Sequence, residues 1–347
     1  MQFPRAECGG NIPEFEESIS FAKMLKEARD WSEMIGCSNI SSINNYATEI
    51  SMNDLVNICE TKHNNMLSEL GNVIKNDIKN IRVICIAGPS SSGKTTFANR
   101  LRLELMSKGI NPIRISMDDY YLERSKVPLG EDGKPDFEHI ESLDLDLFND
   151  NLLKLIEGEE VELPIYDFEK HGRVMGRKVK IDEKTPIIIE GIHALNERVT
   201  KLIPKSQKFK IYISPTSQIN VDDSSIVNAT DIRLLRRIVR DYRYRDTDPS
   251  KSFDMWPAVR KGEFKWIYPF QEEADYIFNS ELTYELGVMK KYALPALNKI
   301  DKNDANYIQA NRLIKFLKYI RDIDDKYVPC NSLLREFIGG SCFYDVD

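Results

Sequence analysis

The chain has 347 residues, 41% hydrophobic and 30% charged, with 15 Phe, 15 Tyr and 3 Trp; this excludes a disordered or fibrous chain and allows two domains, or one with an appendage. Lys and Arg number 48 against 55 Asp and Glu, a net charge of −7, which argues against a nucleic-acid partner held by its phosphates. No apolar run nears the roughly 18 residues of a membrane span, no basic-then-apolar leader opens the chain, and its six cysteines form no C-x-x-C pair, so a cytoplasmic protein with reduced thiols is expected.

Residues 1–80 carry 7 basic and 12 acidic residues, most of the net charge. Phe21, Met24, Leu25 and Ala28 fall at i, i+3, i+4 and i+7, and Leu55, Ile58 and Cys59 repeat the spacing. This predicts a small helical region, entered through an extended segment with Pro4 and Pro13. At residue 81 the pattern changes. Residues 82–87 are short, apolar and β-rich before a glycine, which predicts a buried parallel strand. A helix is expected over 94–108, stopped by Gly109, then a strand at 112–116 and a helix at 143–157 before Gly158. Residues 163–181, broken by Gly172 and Gly176, read as a hairpin outside the sheet. Strands at 186–190, 209–214 and 276–279 and helices at 229–245, 284–299 and 305–322 complete the alternation. It predicts an α/β fold over 81–325, a doubly wound, mostly parallel sheet with helices on both faces. Residues 1–80 form a helical appendage in this reading, and 326–347 a tail.

Gly88-Pro-Ser-Ser-Ser-Gly-Lys-Thr95 matches G-x-x-x-x-G-K-[ST] between a predicted strand and a predicted helix. The glycines let consecutive N–H groups converge on phosphate oxygens, and the helix start adds partial positive charge. Gly88, Ser90, Ser91, Ser92, Gly93, Lys94, Thr95 and Thr96 are thus the expected nucleotide cradle. Lys94 would face the β- and γ-phosphates, and the Thr95 hydroxyl would ligate Mg²⁺ beside ATP. Asp118 follows the second strand, where an acid can take a proton from an attacking hydroxyl or reach a metal through water. Glu190 ends another apolar strand, a position that suits a metal-linked carboxylate. Residues 231–245 hold six arginines and two aspartates in an acidic protein. Arg233, Arg236, Arg237 and Arg240 share one helical face, expected to line a cleft and bind phosphate oxygens.

Taken together and in this order, the loop at 88–95, the stretch 116–121, Phe137-Glu138-His139, 164–168 with His171 and Arg173, Glu190-Gly-Ile192 and the run 233–241 resemble the uridine–cytidine kinases. These belong to the phosphoribulokinase/uridine kinase group of P-loop kinases. The resemblance covers about 81–300. It implies that Asp118 is the base acting on a nucleoside 5′-hydroxyl, and that Tyr121, Phe137, Tyr166 and His171 wall the nucleobase pocket. Glu138 stands where the family usually has an aspartate holding the ribose hydroxyls. Arg237 would contact the nucleoside, and Arg240 and Arg245 would belong to a lid over the phosphates. The chain departs from the family after Arg245, where Asp246-Thr-Asp-Pro249 replaces the usual Arg-x-Arg, and residues 255–260 and 262–266 stand where a pocket glutamine is expected.

Phe3-Pro4-Arg5 and residues 31–37 resemble the segment preceding the kinase in bacterial proteins that begin with threonyl-tRNA synthetase-like modules. That likeness implies that most of the upstream module lies outside this sequence. The expected activity is ATP- and Mg²⁺-dependent phosphoryl transfer to a small-molecule nucleoside, uridine or cytidine, with no membrane partner and a homo-oligomer left open. Two alternatives stand beside it: a kinase for another nucleoside or a sugar phosphate, and an RNA-associated nucleotide sensor.

Overall fold

The computed structural model describes residues 10–12, 18–46, 51–131, 133–167, 172–182, 184–222 and 225–344. Pro4, Pro13, the Phe3–Arg5 likeness and His171 fall outside them. Three helices open the chain, α1 (Ile19–Met34), α2 (Ile40–Tyr46) and α3 (Met52–Asn76). The alternating part then runs β1 (Val83–Ala87), α4 (Lys94–Ser107), β2 (Ile113–Ser116), α5 (Leu145–Ile156), β3 (Val161–Asp167), β4 (Gly172–Val179), β5 (Ile187–Glu190), β6 (Lys208–Ser214), α6 (Ala229–Tyr244), α7 (Pro249–Trp266), β7 (Tyr276–Asn279), α8 (Glu285–Leu297) and α9 (Tyr307–Lys318), with one last turn, α10 (Arg335–Ile338).

Five strands form a parallel sheet in the order β2-β5-β1-β6-β7, while β3 and β4 make a separate antiparallel hairpin. The sequence of β1, Val-Ile-Cys-Ile-Ala, has no polar side chain and every residue is buried, as a central strand covered on both faces requires. Because side chains alternate across a strand, Ile84 and Ile86 enter one apolar cluster, with α3, α4, α6, α8 and α9. Val83, Cys85 and Ala87 enter the other, with α5 and β3. Strands lie on either side of β1, so the crevice of a doubly wound sheet opens at the carboxyl ends of the central strands.

Helix α7 is absent from the sequence-based expectation. Its start was legible: Asp248 accepts a hydrogen bond from the Ser250 N–H, and Pro249 occupies the first turn. Pro257 in its interior hid the rest. Helix α3 and the segment around Ser332 are packed against the rest of the fold. Glu60 of α3 accepts hydrogen bonds from Tyr284 (2.6 Å) and Ser332 (2.5 Å), and residues of α2, α3 and α10 share the apolar cluster of α4. Among the described residues, no helix is long and apolar enough to cross a membrane.

Candidate active site

After β1 the chain curls through 88–93 into α4, with Ser91 at φ 60° and Gly93 at φ 90°. Only glycine adopts that conformation without strain, and a Cβ at 93 would also come within 2.6 Å of Leu333. The hydroxyls of Ser91, Ser92 and Thr96 are buried, with no hydrogen-bond partner among the described residues. Orphaned donors of this kind are costly unless a ligand completes them, and three in a loop that opens a helix fit the oxygens of a polyphosphate. The Lys94 ammonium lies across the loop, donating to the carbonyls of Gly88 (3.0 Å) and Pro89 (3.1 Å). Burial lowers its pKa against the pull of Glu190, Asp118 and Glu336.

Helix α6 holds this loop. Arg237 donates to the Ser90 hydroxyl at 3.2 Å, and Arg236 to the carbonyls of Ser91 (3.3 Å) and Ser92 (3.5 Å). The expectation that Arg233 and Arg236 line the cleft needs correction. Both are buried, Arg236 completely, and each has its own carboxylate: Arg233 bonds Glu263 with two nitrogens, one at 2.8 Å, and Arg236 bonds Glu285 at 2.7 Å. A guanidinium is tolerated in the interior only when paired and hydrogen-bonded in this way.

Two carboxylates face the loop from neighbouring strand ends. Asp118 follows β2, its N–H donated to the Ser116 hydroxyl at 3.3 Å, and its side chain opens to solvent at the crevice mouth. The protein crowded around it raises its pKa, while Lys94, Arg245 and Arg240 pull the other way. Glu190 ends β5 and is buried; burial first and Asp118 second push its carboxyl up to about 7, with Arg114 opposing from 3.7 Å. Carboxylates that disfavour each other's charge are suited to share a cation. No group of three His, Cys, Asp or Glu that could hold a metal occurs among the described residues. Mg²⁺, however, characteristically takes one or two carboxylates and completes its shell with phosphate oxygens and water. The donor set Thr95 and Glu190 fits that pattern.

At the other end of the crevice three aromatic rings meet edge to face. Tyr121 lies 5.9 Å from both Phe137 and Tyr166, centroid to centroid. Asp119 accepts the Tyr166 N–H at 3.2 Å, which ties the hairpin to the end of β2. Glu138 is half-buried beside them, and its carboxyl is pushed up to about 7 by burial, with Arg237 opposing and Glu263 adding to the rise. Helix α7 closes this end so tightly that a Cβ on Gly262 would stand 2.5 Å from the Glu138 Cβ. Sequence reasoning missed Glu263, which is fully buried and gathers Arg233, Arg260 and Tyr268. In a stretch as charged as 260–265 nothing distinguishes it from a solvated residue. The two remaining histidines here are packing groups: His139 lies against Trp266, and burial lowers His193 to about 3, keeping it neutral.

Three arginines gather on one carboxylate at the open side. Asp241 binds Arg240 (2.8 Å), Arg237 (3.2 Å) and Arg245 (3.7 Å); burial works against its charge, but the three cations outweigh it and hold its pKa low. The Arg245 guanidinium drops to about 10, first from the charge of Arg240 and then from burial. An excess of positive charge beside Asp118 and Lys94 is what a transferring phosphoryl group needs.

A profile of the phosphoribulokinase/uridine kinase family matches residues 83–286. Among curated proteins, the uridine kinase of Halalkalibacterium halodurans is 30% identical over 197 residues, 56% of this chain and 84% of that one. The uridine kinases of Leuconostoc citreum and Staphylococcus haemolyticus are each 31% identical, over 56% and 57% of this chain and 85% and 87% of theirs. The match spans the phosphate loop, both carboxylates, the aromatic cluster and the arginine helix. The chain belongs to the phosphoribulokinase/uridine kinase family and is an ATP-binding P-loop kinase.

Proposed function

We propose that the chain transfers the γ-phosphoryl group of ATP to the 5′-hydroxyl of uridine or cytidine, with Mg²⁺ as the metal. The observation that carries this reading is the acceptor end itself. Tyr121, Phe137 and Tyr166 offer ring faces and edges for a planar base, and Glu138 beside Arg237 offers a carboxylate for paired sugar hydroxyls. The charge of Asp118 is felt by Tyr121 of this group, and Lys94 acts on Asp118 in turn. Residues 81–325 serve as the catalytic domain in this reading, with 1–80 as an appendage that braces it through α3.

Asp118 accepts the proton of the acceptor hydroxyl as that oxygen bonds the γ-phosphorus and the bond to the bridging oxygen breaks. Lys94, Arg240 and Arg245 neutralise the charge that develops on the phosphoryl and leaving oxygens. Mg²⁺, when bound through Thr95 and Glu190, neutralises phosphate charge. The raised pKa of Asp118 makes it a stronger base than a free aspartate, while Lys94, Arg245 and Arg240 favour its ionised form.

A screen of hydroxyl acceptors with γ-labelled ATP tests the proposal, and transfer to uridine and cytidine above all other acceptors is the expected result. One observation favours a second reading, a kinase for another small hydroxyl compound. By the family resemblance Glu138 stands where an aspartate is usual, and Gly262 lies against it, a pairing that would reshape a sugar subsite. Transfer to a different acceptor, with none to either pyrimidine nucleoside, would establish that reading instead.

A further inference from the structure

Residues 331–340, Asn-Ser-Leu-Leu-Arg-Glu-Phe-Ile-Gly-Gly, lie beyond the family match yet reach its phosphate loop. The Glu336 carboxylate accepts the backbone N–H of Thr96 at 3.0 Å. Thr96 is the third residue of α4, so that N–H is one of the free amides at the helix start that make the loop an anion site. Leu333 of the same segment lies against Gly93. The buried Thr96 hydroxyl, on the same residue, has no hydrogen-bond partner among the described residues.

The segment is firmly seated. Leu333, Leu334 and Phe337 are fully buried, and Phe337 packs under the Arg236 guanidinium at 5.1 Å. Arg243 of the arginine helix donates to the Ile338 carbonyl at 2.5 Å, and the ends of the segment are joined by the Cys342 N–H on the Cys330 carbonyl at 3.0 Å. One short stretch therefore touches both the phosphate loop and the helix that carries the lid arginines. A carboxylate bound to a helix-start amide stands in the place of a phosphate oxygen. Two anions placed at one N–H repel each other, and at a buried contact that repulsion is strong.

We propose that Glu336 is a nucleotide-site residue that acts as an internal competitor: its carboxylate takes the Thr96 amide when no nucleotide is present and gives it up when the phosphates of ATP enter, which removes one anchor of the segment 331–340. The inference rests on ATP binding at the loop but not on the identity of the acceptor.

The test uses the full chain. Equilibrium binding of ATP to Glu336→Gln, which keeps the side chain's shape and removes its charge, should be on the order of tenfold tighter than to wild type. Hydrogen exchange of 331–340 in the wild-type chain should rise when ATP saturates the site. Equal or weaker ATP binding by a Glu336→Gln variant with an unchanged melting point overturns the proposal. So does a fall in exchange across 331–340 on ATP addition, which would make Glu336 a fixed helix cap; this second readout needs no variant to fold. Uridine phosphorylation by the wild-type chain is scored separately: transfer without the affinity gain defeats this inference alone, and the gain without transfer defeats only the acceptor assignment.

Discussion

In the proposed reading, the phosphate end and the acceptor end of the crevice are built by different means. At the phosphate end the binding groups come from one continuous run, 88–96, and are largely backbone amides fixed by a strand, a turn and a helix start. At the acceptor end Tyr121, Phe137, Glu138, Tyr166 and Arg237 come from separated segments, and their positions depend on α7 and the hairpin as much as on the sheet. A backbone-built site tolerates little change in its chemistry, because the same amides serve any nucleoside triphosphate. A site assembled from side chains can be retuned one residue at a time. The central claim that follows is a separation: changes at the acceptor end should move acceptor affinity and leave ATP affinity alone.

The largest effect is expected at the junction of the two ends. Asp118→Asn should lower kcat by roughly 10²–10⁴-fold while ATP binding stays within a few-fold of wild type; a near-normal kcat would remove Asp118 from the base role. Lys94→Ala should cost roughly 10²–10³-fold in kcat/KM with whatever acceptor is used, and a loss confined to one acceptor would break the separation. Glu138→Gln should raise acceptor KM by on the order of tenfold and leave the KM for ATP unchanged. Because the Glu138 carboxyl is pushed up to about 7, it gains its proton as pH falls from 8 to 6. Acceptor KM in the wild-type chain should therefore rise over that interval, and the rise should be absent in Glu138→Gln. The smallest effect is expected for Gly262→Ala, whose new Cβ must move Glu138. A few-fold increase in acceptor KM without change in ATP KM would sharpen the comparison, and an equal change in both would blunt it.

The same contrast explains what the sequence could disclose. The phosphate loop was legible because its chemistry is local: the glycines, Lys94 and Thr95 sit at fixed spacing between a strand and a helix. The sheet was legible because β1 and β5 are short apolar runs and β6 is rich in β-branched and aromatic residues. Arg233 and Arg236 misled because helical periodicity gives the face but not the carboxylates, Glu263 and Glu285, that come from α7 and α8 to bury it. Glu263 itself and the helix around it were invisible for the converse reason, since a charged residue reads as exposed until its partners are known. Glu336 lies 240 residues from the amide it occupies, and nothing in its local pattern points there.

The most direct measurement is product analysis with γ-labelled ATP, Mg²⁺ and uridine, run beside 5′-deoxyuridine, with ATP affinity measured in parallel for wild type and Glu138→Gln. The expected result is labelled uridine 5′-monophosphate, no label on 5′-deoxyuridine, and equal ATP affinity in the two chains. Label on neither nucleoside, or an ATP affinity that falls with Glu138→Gln, would contradict a crevice whose acceptor end recognises a pyrimidine nucleoside independently of its phosphate end.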